Sequence, residues 1–257
     1  MKLLRTLAWL ALALPLAAAA AEEVRLDRLP ADVRPSDPVS LQRGAQVFVN
    51  YCMGCHSAAY MRYNRLRDIG LSEPQIGANL IFTGAKLGDL MKIAMDPRDS
   101  KEWFGATPPD LSVIARARSS HAGSGADWLY SYLRGFYRDP ARPTGWNNTV
   151  YPNVGMPHVL WQLQGEQALT TEVRSIPVGA KGEVRKFEEQ RLVLEKPGTM
   201  QPAEYDRLVA DLVNFLVYVA EPARQSRLDI GVVVLMFLGV FFALAYLLKK
   251  EFWKDVH

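Results

Sequence analysis

The sequence predicts a mainly α fold, in which one helical domain with a loop or hairpin insertion is followed by a single C-terminal transmembrane helix. Apolar residues recur at intervals of three and four along 204–219, which places them on one face of a helix. Residues 230–248 contain no charged side chain. A strand-like pattern, with glycine and proline turn residues, occurs only in the short region 170–197.

Residues 1–21 have the organisation of a secretory signal peptide. Lys2 and Arg5 form a short basic start, an apolar run follows from Leu7 to Leu16, and residues 17–21 are all alanine. An uncleaved anchor is the alternative, but this apolar run is too short to span a bilayer. We therefore expect removal of this segment and a mature chain that begins near Glu22.

The opposite end of the chain predicts a membrane anchor at 229–249. A helix over the uncharged stretch would be about 28 Å long at about 1.5 Å per residue, close to the thickness of a hydrocarbon core. Lys249 and Lys250, with Phe252 and Trp253, follow as interface residues. A buried soluble helix is the alternative. With the signal peptide, this predicts a domain over 22–228 in the periplasm of a bacterial inner membrane and a cytoplasmic tail over 250–257.

Charge balance excludes one class of partner. The chain has 30 Lys and Arg against 27 Asp and Glu, a net charge of +3 at pH 7. A nucleic-acid-binding protein is typically far more basic, so we expect none as a partner. The exported part is long enough for one domain with a sizeable core.

Within that domain, residues 22–38 are polar and proline-containing, which favours an extended arm. Ser40 is a candidate N-cap for a helix that runs into residue 52. We further expect helices at 87–95, 127–137 and 204–219, and a small hairpin or irregular insertion at 170–197.

The segment Cys52-Met53-Gly54-Cys55-His56 predicts covalent attachment of a haem. Two thiols can form thioether bonds to the porphyrin, and the adjacent imidazole can bind the iron. These are the only two cysteines in the chain. A redox disulfide would require a thioredoxin-like context, and a zinc site would require two further ligands.

The second axial ligand of the iron decides between electron transfer and an open reactive site. Met156 is the favoured candidate because it lies in the turn-rich loop 151–157. His121, His158 and Met200 are the competitors. Methionines on apolar helix faces, such as Met91 and Met95, are more often core residues.

The segment Pro108-Pro109-Asp110-Leu111-Ser112 is a candidate partner of the haem site. A Pro-Pro backbone has free carbonyls, and one of them could accept from the second ring nitrogen of the ligand histidine. Arg116 or Arg118 could pair with a haem propionate. Alternatively, Pro-Pro-Asp is a turn with a helix cap, and both arginines are solvated.

Gly44 and Phe48, eight and four residues before Cys52, resemble the glycine and aromatic residue of class I cytochromes c. In those proteins the glycine allows a terminal helix to cross closely, and helix 204–219 would be that partner here. In the alternative interpretation, Gly44 is an ordinary helix defect.

Taken in order, the motifs resemble the cytochrome c1 family of bacterial type, the haem subunits of quinol–cytochrome c oxidoreductase (bc1) complexes. The resemblance covers nearly the whole exported domain and the anchor. It rests on the segments 43–60, 108–118, 130–137, 151–157 and 211–222.

The resemblance implies one covalent haem c. Its thioethers would be at Cys52 and Cys55, its axial ligands would be His56 and Met156, and Arg118 would contact a propionate. The carbonyl of Pro109 would hold His56.

The resemblance also implies cytochrome b and a Rieske iron–sulfur protein as partners in a dimeric complex, with a cytochrome c as electron acceptor. Such a subunit relays electrons and performs no bond chemistry itself. The chain lacks the acid-rich insertions that some family members have between residues 56 and 108, and its region 165–197 is expanded, which leaves the acceptor docking surface open.

Two other functions remain compatible with the motifs. One is a tail-anchored mono-haem cytochrome that serves a terminal oxidase or another dehydrogenase. The other is a membrane-tethered haem enzyme or gas sensor, in which the iron would keep an open position and bind carbon monoxide.

Overall fold

The computed structural model describes residues 25–34, 36–178 and 183–255; the predicted signal peptide (1–21) and His257 lie outside these ranges. The helices in chain order are α1 (Pro38–Val47), α2 (Glu73–Leu80), α3 (Pro97–Phe104), α4 (Ile114–Ala117), α5 (Gly125–Arg134), α6 (Trp161–Gln164), α7 (Pro202–Ala220) and α8 (Arg224–Phe252). The strands are β1 (Ala58–Arg62), β2 (Leu90–Met91), β3 (Phe136–Arg138), β4 (Trp146–Asn148), β5 (Gly165–Val178) and β6 (Glu183–Pro197).

The strands form three two-stranded antiparallel sheets, β1 with β2, β3 with β4 and β5 with β6. Helices supply most of the core, which α7 dominates with its buried apolar face. The mainly α class predicted from the sequence is therefore confirmed.

Helix α1 begins after Asp37, whose carboxylate accepts a hydrogen bond from the backbone nitrogen of Val39 at 3.0 Å. The prediction that Ser40 is the N-cap of this helix is wrong, because Asp37 has that position. Pro38 is well suited to the first helical position because it has no backbone N–H to satisfy, and this starts the helix before Ser40. The Ser40 hydroxyl is buried and donates to Asp211 Oδ1 at 2.6 Å.

After Val47 the helix continues as a π-helix, Phe48–Cys52, in which the Met53 nitrogen donates to the Phe48 carbonyl at 2.9 Å. Helical backbone therefore leads directly into the Cys-x-x-Cys-His motif, as predicted. Phe48 and Cys52 are both buried, so the buried face of α1 continues through this turn to the first cysteine of the motif.

The crossing of α1 and α7 depends on Gly44. A Cβ atom at Gly44 would overlap the Asp211 carbonyl and lie 2.6 Å from the Phe215 Cβ. One turn further on, the rings of Phe48 and Phe215 pack with their centroids 5.7 Å apart. The predicted close crossing is confirmed.

A buried polar cluster fixes the register of this crossing. Asp211 accepts from Ser40 and from Arg43 Nε, both at 2.6 Å, and Asn214 donates to the Ser40 hydroxyl at 2.9 Å. Asp211 is buried, and a buried carboxylate is tolerated only when its charge and lone pairs are satisfied. A rotation or slide of either helix would break these bonds.

Helix α5 has a capping box in which the side chain of Ser124 and that of Asp127 each accept from the other's backbone nitrogen. The predicted helix 127–137 is thus confirmed with shifted bounds. The arm is held against α5 by two backbone nitrogens. That of Leu29 donates to Asp127 Oδ1 at 2.8 Å, and that of Asp27 donates to the Ser131 hydroxyl at 2.7 Å. The extended arm is confirmed over residues 25–34.

The predicted helix at 87–95 is wrong. This stretch contains the short strand β2, which pairs with β1. The Asp89 carboxylate accepts from the Lys86 nitrogen at 2.7 Å, and the Ile93 nitrogen donates to the Ser57 hydroxyl at 3.0 Å. Pairing with the segment that follows the haem motif therefore overrides local helix propensity. Helices α2 and α3 and a 3₁₀ turn at Tyr63–Ile69 were not predicted.

The region predicted as a hairpin or irregular insertion is a long antiparallel hairpin of β5 and β6. The register runs from Gly165 opposite Pro197 to Val178 opposite Glu183, with one irregularity after Glu166. At its base, Glu166 pairs with Arg138 and Lys196, both at 3.0 Å. The predicted turn residues Gly179 and Gly182 lie outside the described residues.

Helix α8 includes the predicted anchor and extends beyond it at both ends. An 18-residue stretch within Ser226–Phe252 has a mean hydropathy of 2.7, and none of that stretch is buried against the rest of the described chain. By length and composition this helix could cross a membrane. The domain boundaries at 22, 228 and 249 stay predictions.

Replacing Gly44 by alanine should destabilise the domain, because the new Cβ would force α1 and α7 apart. We expect a loss of about 1–3 kcal/mol or more in the free energy of unfolding, the usual range for overpacking. Gly77→Ala is the matched control, since Gly77 is exposed in α2 with open space around it. That variant should be neutral or slightly more stable. Urea unfolding followed by circular dichroism compares them, and equal stability of both variants would contradict the close crossing.

The anchoring of the arm should depend on pH through Asp127. Burial acts to raise the pKa of Asp127, but hydrogen bonds from Leu29 and Ser124 outweigh it and hold the pKa below its ordinary 3.8. The ionised form is therefore favoured by folding, and its contribution is present above pH 3.8 and disappears as the pH falls through the lowered value.

We expect Asp127→Asn to cost about 1–2 kcal/mol of unfolding free energy at pH 7. The gap between the two proteins should close below pH 3.8. Urea titrations at several pH values measure this gap. A difference that stays constant with pH would show that the charge of Asp127 has no part in holding the arm.

Candidate haem site

The Cys-x-x-Cys-His motif follows the π-helix as one tight turn. The backbone nitrogens of Cys55 and His56 both donate to the Cys52 carbonyl, at 3.1 and 2.9 Å. The two sulfurs are free thiols; Cys52 is buried and Cys55 is half-buried. Burial, and to a lesser extent Cys55, raises the pKa of the Cys52 thiol to about 12. A reactive redox cysteine has a lowered pKa, so this environment disfavours the redox disulfide.

The imidazole of His56 is held by the backbone of Pro109. The distance from His56 Nδ1 to the Pro109 carbonyl oxygen is 2.7 Å. A carbonyl oxygen can only accept, so Nδ1 must bear the hydrogen and Nε2 retains its lone pair. Burial lowers the pKa of His56, with the Pro109 carbonyl opposing that shift, and a lowered pKa favours the neutral ring. A neutral imidazole with Nε2 free is the form that binds iron.

The Pro-Pro-Asp-Leu-Ser segment packs along the backbone that follows His56. Asp110 accepts from the Ala59 nitrogen at 2.8 Å, the Leu111 nitrogen donates to the Ser57 carbonyl at 2.8 Å, and the Tyr60 nitrogen donates to the Ser112 hydroxyl at 3.0 Å. These bonds fix the Pro109 carbonyl relative to His56. Of the two sequence interpretations, the acceptor role matches the observed contact, and no side chain caps α4.

Met156 lies half-buried in the irregular segment between β4 and α6. Its sulfur accepts a hydrogen bond from the hydroxyl of Tyr132 on α5 at 3.4 Å. The Tyr132 ring stacks on Trp128, with centroids 4.8 Å apart. The sulfur thus contacts Tyr132, which is buried and stacked on the half-buried Trp128.

The competing ligands occupy different surroundings. His158 is buried, stacked on Phe136 at 4.8 Å and edge-on to Trp146 at 5.0 Å. Burial lowers its pKa to about 4, so it is a neutral histidine of the aromatic core. His121 is exposed, and Met91 is fully buried beneath the β1–β2 sheet. Met200 is half-buried beside α6, where its nitrogen donates to the Leu163 carbonyl.

The two candidate arginines differ in their partners. Arg116 forms an ion pair with Glu221 at 3.5 Å. The Arg118 guanidinium lies 4.5 Å from the Trp128 ring centre and 5.6 Å from that of Tyr151. Within residues 25–34, 36–178 and 183–255, no ion pair involves Arg118. Its cation therefore has aromatic contacts and remains available to an anionic group such as a propionate.

These contacts connect the predicted residues into one site. The stretch from Pro109 to Arg118 touches His56 at its first residue and the aromatic pair of Trp128 and Tyr132 at its last, and that pair reaches Met156. Two thiols, one imidazole with a free Nε2, a thioether and a cation are the groups that a c-type haem requires. The chemistry of this donor set fits that cofactor.

Two contributors were missed by sequence reasoning. Tyr132 entered the prediction only as part of the helix expected at 127–137, among residues on its apolar face, although its hydroxyl binds the Met156 sulfur. Asp110 was considered as a possible cap, although it anchors the ligand-holding segment to Ala59. A tyrosine on an apolar stripe is a weak signal for a buried polar partner, and only the fold reveals which partner it has.

Comparison with known proteins identifies the relatives of this chain. A family model described as the Cytochrome C1 family matches residues 33–86 and 83–256. A protein named cytochrome c1 from Allochromatium vinosum is 50% identical over 228 residues, which are 88% of each chain.

Two further relatives are similar to this chain over most of its length, one at about the same identity and one at a lower identity. A protein named ammonia monooxygenase gamma subunit from Nitrosomonas europaea is 51% identical over 236 residues, which are 92% of this chain and 91% of that protein. Cytochrome c1 from Rhodospirillum rubrum is 29% identical over 239 residues, with 86% of this chain and 83% of that protein covered.

Proposed function

This chain belongs to the cytochrome c1 family, and from that premise we propose that it passes single electrons from a Rieske iron–sulfur protein to a c-type cytochrome through a haem ligated by His56 and Met156. The following assignments of residues, acceptor and orientation are parts of this proposal.

Membership of the cytochrome c1 family establishes the general function of this chain. Proteins of the family carry one covalently bound haem c, and this chain is a haem electron-transfer subunit of a bc1 complex. The complex also contains cytochrome b and a Rieske protein. The subunit is membrane-anchored, and α8 is the helix that fits this anchor.

The observation that supports the proposal best is the 2.7 Å contact between His56 Nδ1 and the Pro109 carbonyl. It selects one tautomer, orients the ring and leaves Nε2 for the iron. A histidine on the protein surface usually bonds to water. The acceptor of His56 is instead a backbone carbonyl in a segment that Asp110 fixes to Ala59. The contact therefore favours an axial role for His56 over a structural one.

The remaining residues have complementary roles in this proposal. Cys52 and Cys55 would hold the porphyrin covalently, and the Met156 thioether would bind the iron as its second protein ligand, which would exclude oxygen and other small ligands. Arg118 places a positive charge beside the cofactor, which favours the reduced form. The haem supplies reversible one-electron transfer between its ferric and ferrous states.

The signal-peptide pattern and the lysines after the anchor support the proposed orientation. Export of residues 22–228 would place the haem domain in the periplasm and residues 250–257 in the cytoplasm. In that compartment the domain could receive electrons from the Rieske protein and deliver them to a soluble or membrane-bound cytochrome c. We also propose that the complex is a dimer.

The name of the Nitrosomonas relative raises one alternative, a subunit of a monooxygenase. A closed iron site argues against direct oxygen chemistry on this chain, because Met156 would occupy the position that oxygen needs. Purification in mild detergent separates the possibilities. Recovery with cytochrome b and a Rieske protein supports the proposal, and recovery with oxidase or monooxygenase subunits instead contradicts it.

Replacing Met156 by leucine should leave the covalent haem in place and lower its reduction potential sharply. The thioether favours ferrous iron, and leucine has a similar volume but cannot bind the metal. The reduced variant should also bind carbon monoxide, whereas the unmodified protein should not. Redox titration and optical spectra measure both effects. An unchanged potential would show that another residue is the ligand.

Replacing Arg118 by alanine should lower the potential by less than the Met156 substitution does, because a cation that favours the reduced haem is lost. Arg116→Ala is the matched control, since Arg116 lies in the same short segment but pairs with Glu221. We expect little change in its potential. Equal shifts in the two variants would indicate a general charge effect and contradict a specific propionate contact of Arg118.

A further inference from the structure

Two adjacent asparagines lie buried in the core beside the Met156 segment. Asn147 is 7% exposed and Asn148 is 1% exposed, both in the short strand β4. A buried amide side chain is unfavourable unless its donors and acceptor are paired. The partners of these two side chains therefore indicate what they contribute.

Asn148 binds the start of the segment. Its Oδ1 accepts from the backbone nitrogens of Val150 at 2.9 Å and Tyr151 at 3.1 Å. Its Nδ2 donates to the backbone carbonyl of Tyr132 at 2.7 Å. One amide thus ties the loop to the residue of α5 whose hydroxyl binds the Met156 sulfur.

Asn147 binds the middle of the segment. Its Oδ1 accepts from the Asn153 nitrogen at 2.8 Å and from the Asn148 nitrogen at 2.9 Å. Its Nδ2 donates to Asp139 Oδ2 at 2.8 Å. Asn153 lies three residues before Met156. Its backbone nitrogen is bound by the Asn147 side chain of β4, where a strand would have a backbone carbonyl as acceptor.

The conformation of Asn153 requires such support. Its φ of 63° is in the left-handed region, which asparagine tolerates better than most side chains do. Arg142 holds it from the other side: one guanidinium nitrogen donates to the Asn153 carbonyl at 3.0 Å and another to its Oδ1 at 3.2 Å.

We propose that Asn147, Asn148 and Arg142 are positioning residues that hold the 150–153 backbone so that the Met156 sulfur stays on the haem iron. This inference rests on the axial role of Met156 proposed above. Residues 149–160 form no helix or strand, so the loop lacks the backbone ladder that would otherwise fix a ligand. Side-chain amides supply its acceptors instead.

A positioning role differs from a purely structural one in what it changes. If these residues serve only the fold, their loss lowers the stability and leaves the coordination of the iron intact. If they position Met156, their loss lets the Met156 sulfur leave the iron for part of the time. The opened fraction of reduced protein then binds carbon monoxide, and the reduction potential falls towards that of Met156→Leu.

The test uses the full-length haem-loaded protein in detergent and measures carbon monoxide binding to the reduced form and the reduction potential. Asn147→Ala should increase the carbon-monoxide-reactive fraction roughly tenfold, the shift that the loss of one hydrogen bond to the loop produces. Of the three hydrogen bonds that this variant loses, the one from the Asn153 nitrogen is the bond that holds the loop. Arg142→Leu should act in the same direction with a smaller effect. Asn153→Ala should open the site more than Asn153→Gly does, because glycine accepts a positive φ.

Asn214→Ala is the matched control. Asn214 is also a fully buried asparagine, but its amide binds Arg34 and Ser40 at the α1–α7 crossing. This variant should lose stability and stay inert to carbon monoxide, with an unchanged potential.

The inference is wrong if folded Asn147→Ala and Arg142→Leu proteins remain inert to carbon monoxide with unchanged potentials while Met156→Leu opens the iron. If Asn147→Ala does not accumulate, Arg142→Leu and the Asn153 pair decide between the same two outcomes. If Met156→Leu itself changes neither readout, the proposed axial role fails and the inference falls with it. The Met156→Leu variant therefore shows whether the axial role of Met156 has failed or only the positioning role of Asn147 and Arg142.

Discussion

The close crossing of α1 and α7 at Gly44 is the constraint on which the rest of the domain depends. A hydrogen atom in place of a side chain lets the α1 backbone approach the Asp211 carbonyl, and the cluster of Ser40, Arg43 and Asp211 then fixes the register. The haem motif follows from the end of α1 and the membrane helix from the end of α7. The close approach that Gly44 allows therefore sets where the Cys-x-x-Cys-His motif lies relative to α7.

The haem site is built from irregular segments placed against this frame. Neither Pro109 nor Met156 lies in a helix or strand. Next to Pro109, Asp110 accepts from the Ala59 nitrogen, and ahead of Met156 the backbone nitrogens of Val150 and Asn153 donate to Asn148 and Asn147. Irregular backbone has no ladder of its own, so buried polar side chains must satisfy its donors. An electron relay benefits from such fixed ligands, because its iron should keep the same coordination in both oxidation states.

Among the described residues, the long β5–β6 hairpin forms no hydrogen bond or ion pair with the predicted ligands, and its base is joined to β3 through Arg138 and Glu166. It is therefore an addition to the haem domain and not a part of the site. The nearly balanced charge of the chain gives no strong overall field that would steer an acceptor, so any electrostatic attraction would have to come from a local group of charges.

The sequence by itself determined the class of fold, the haem motif, the anchor and the α7 stripe, because each is a local pattern of period, spacing or composition. Gly44 and Pro109 were also identified, through their resemblance to known proteins. Only the tertiary structure decided that 87–95 pairs as a strand, that Asp37 and not Ser40 caps α1, and that Tyr132 binds Met156. The strand pairing and the Tyr132 contact depend on partners far apart in the chain. The Asp37 cap is local, but Ser40 is taken from that role by a distant partner, because its buried hydroxyl donates to Asp211. A polar side chain does not encode locally which distant donor or acceptor will be buried beside it.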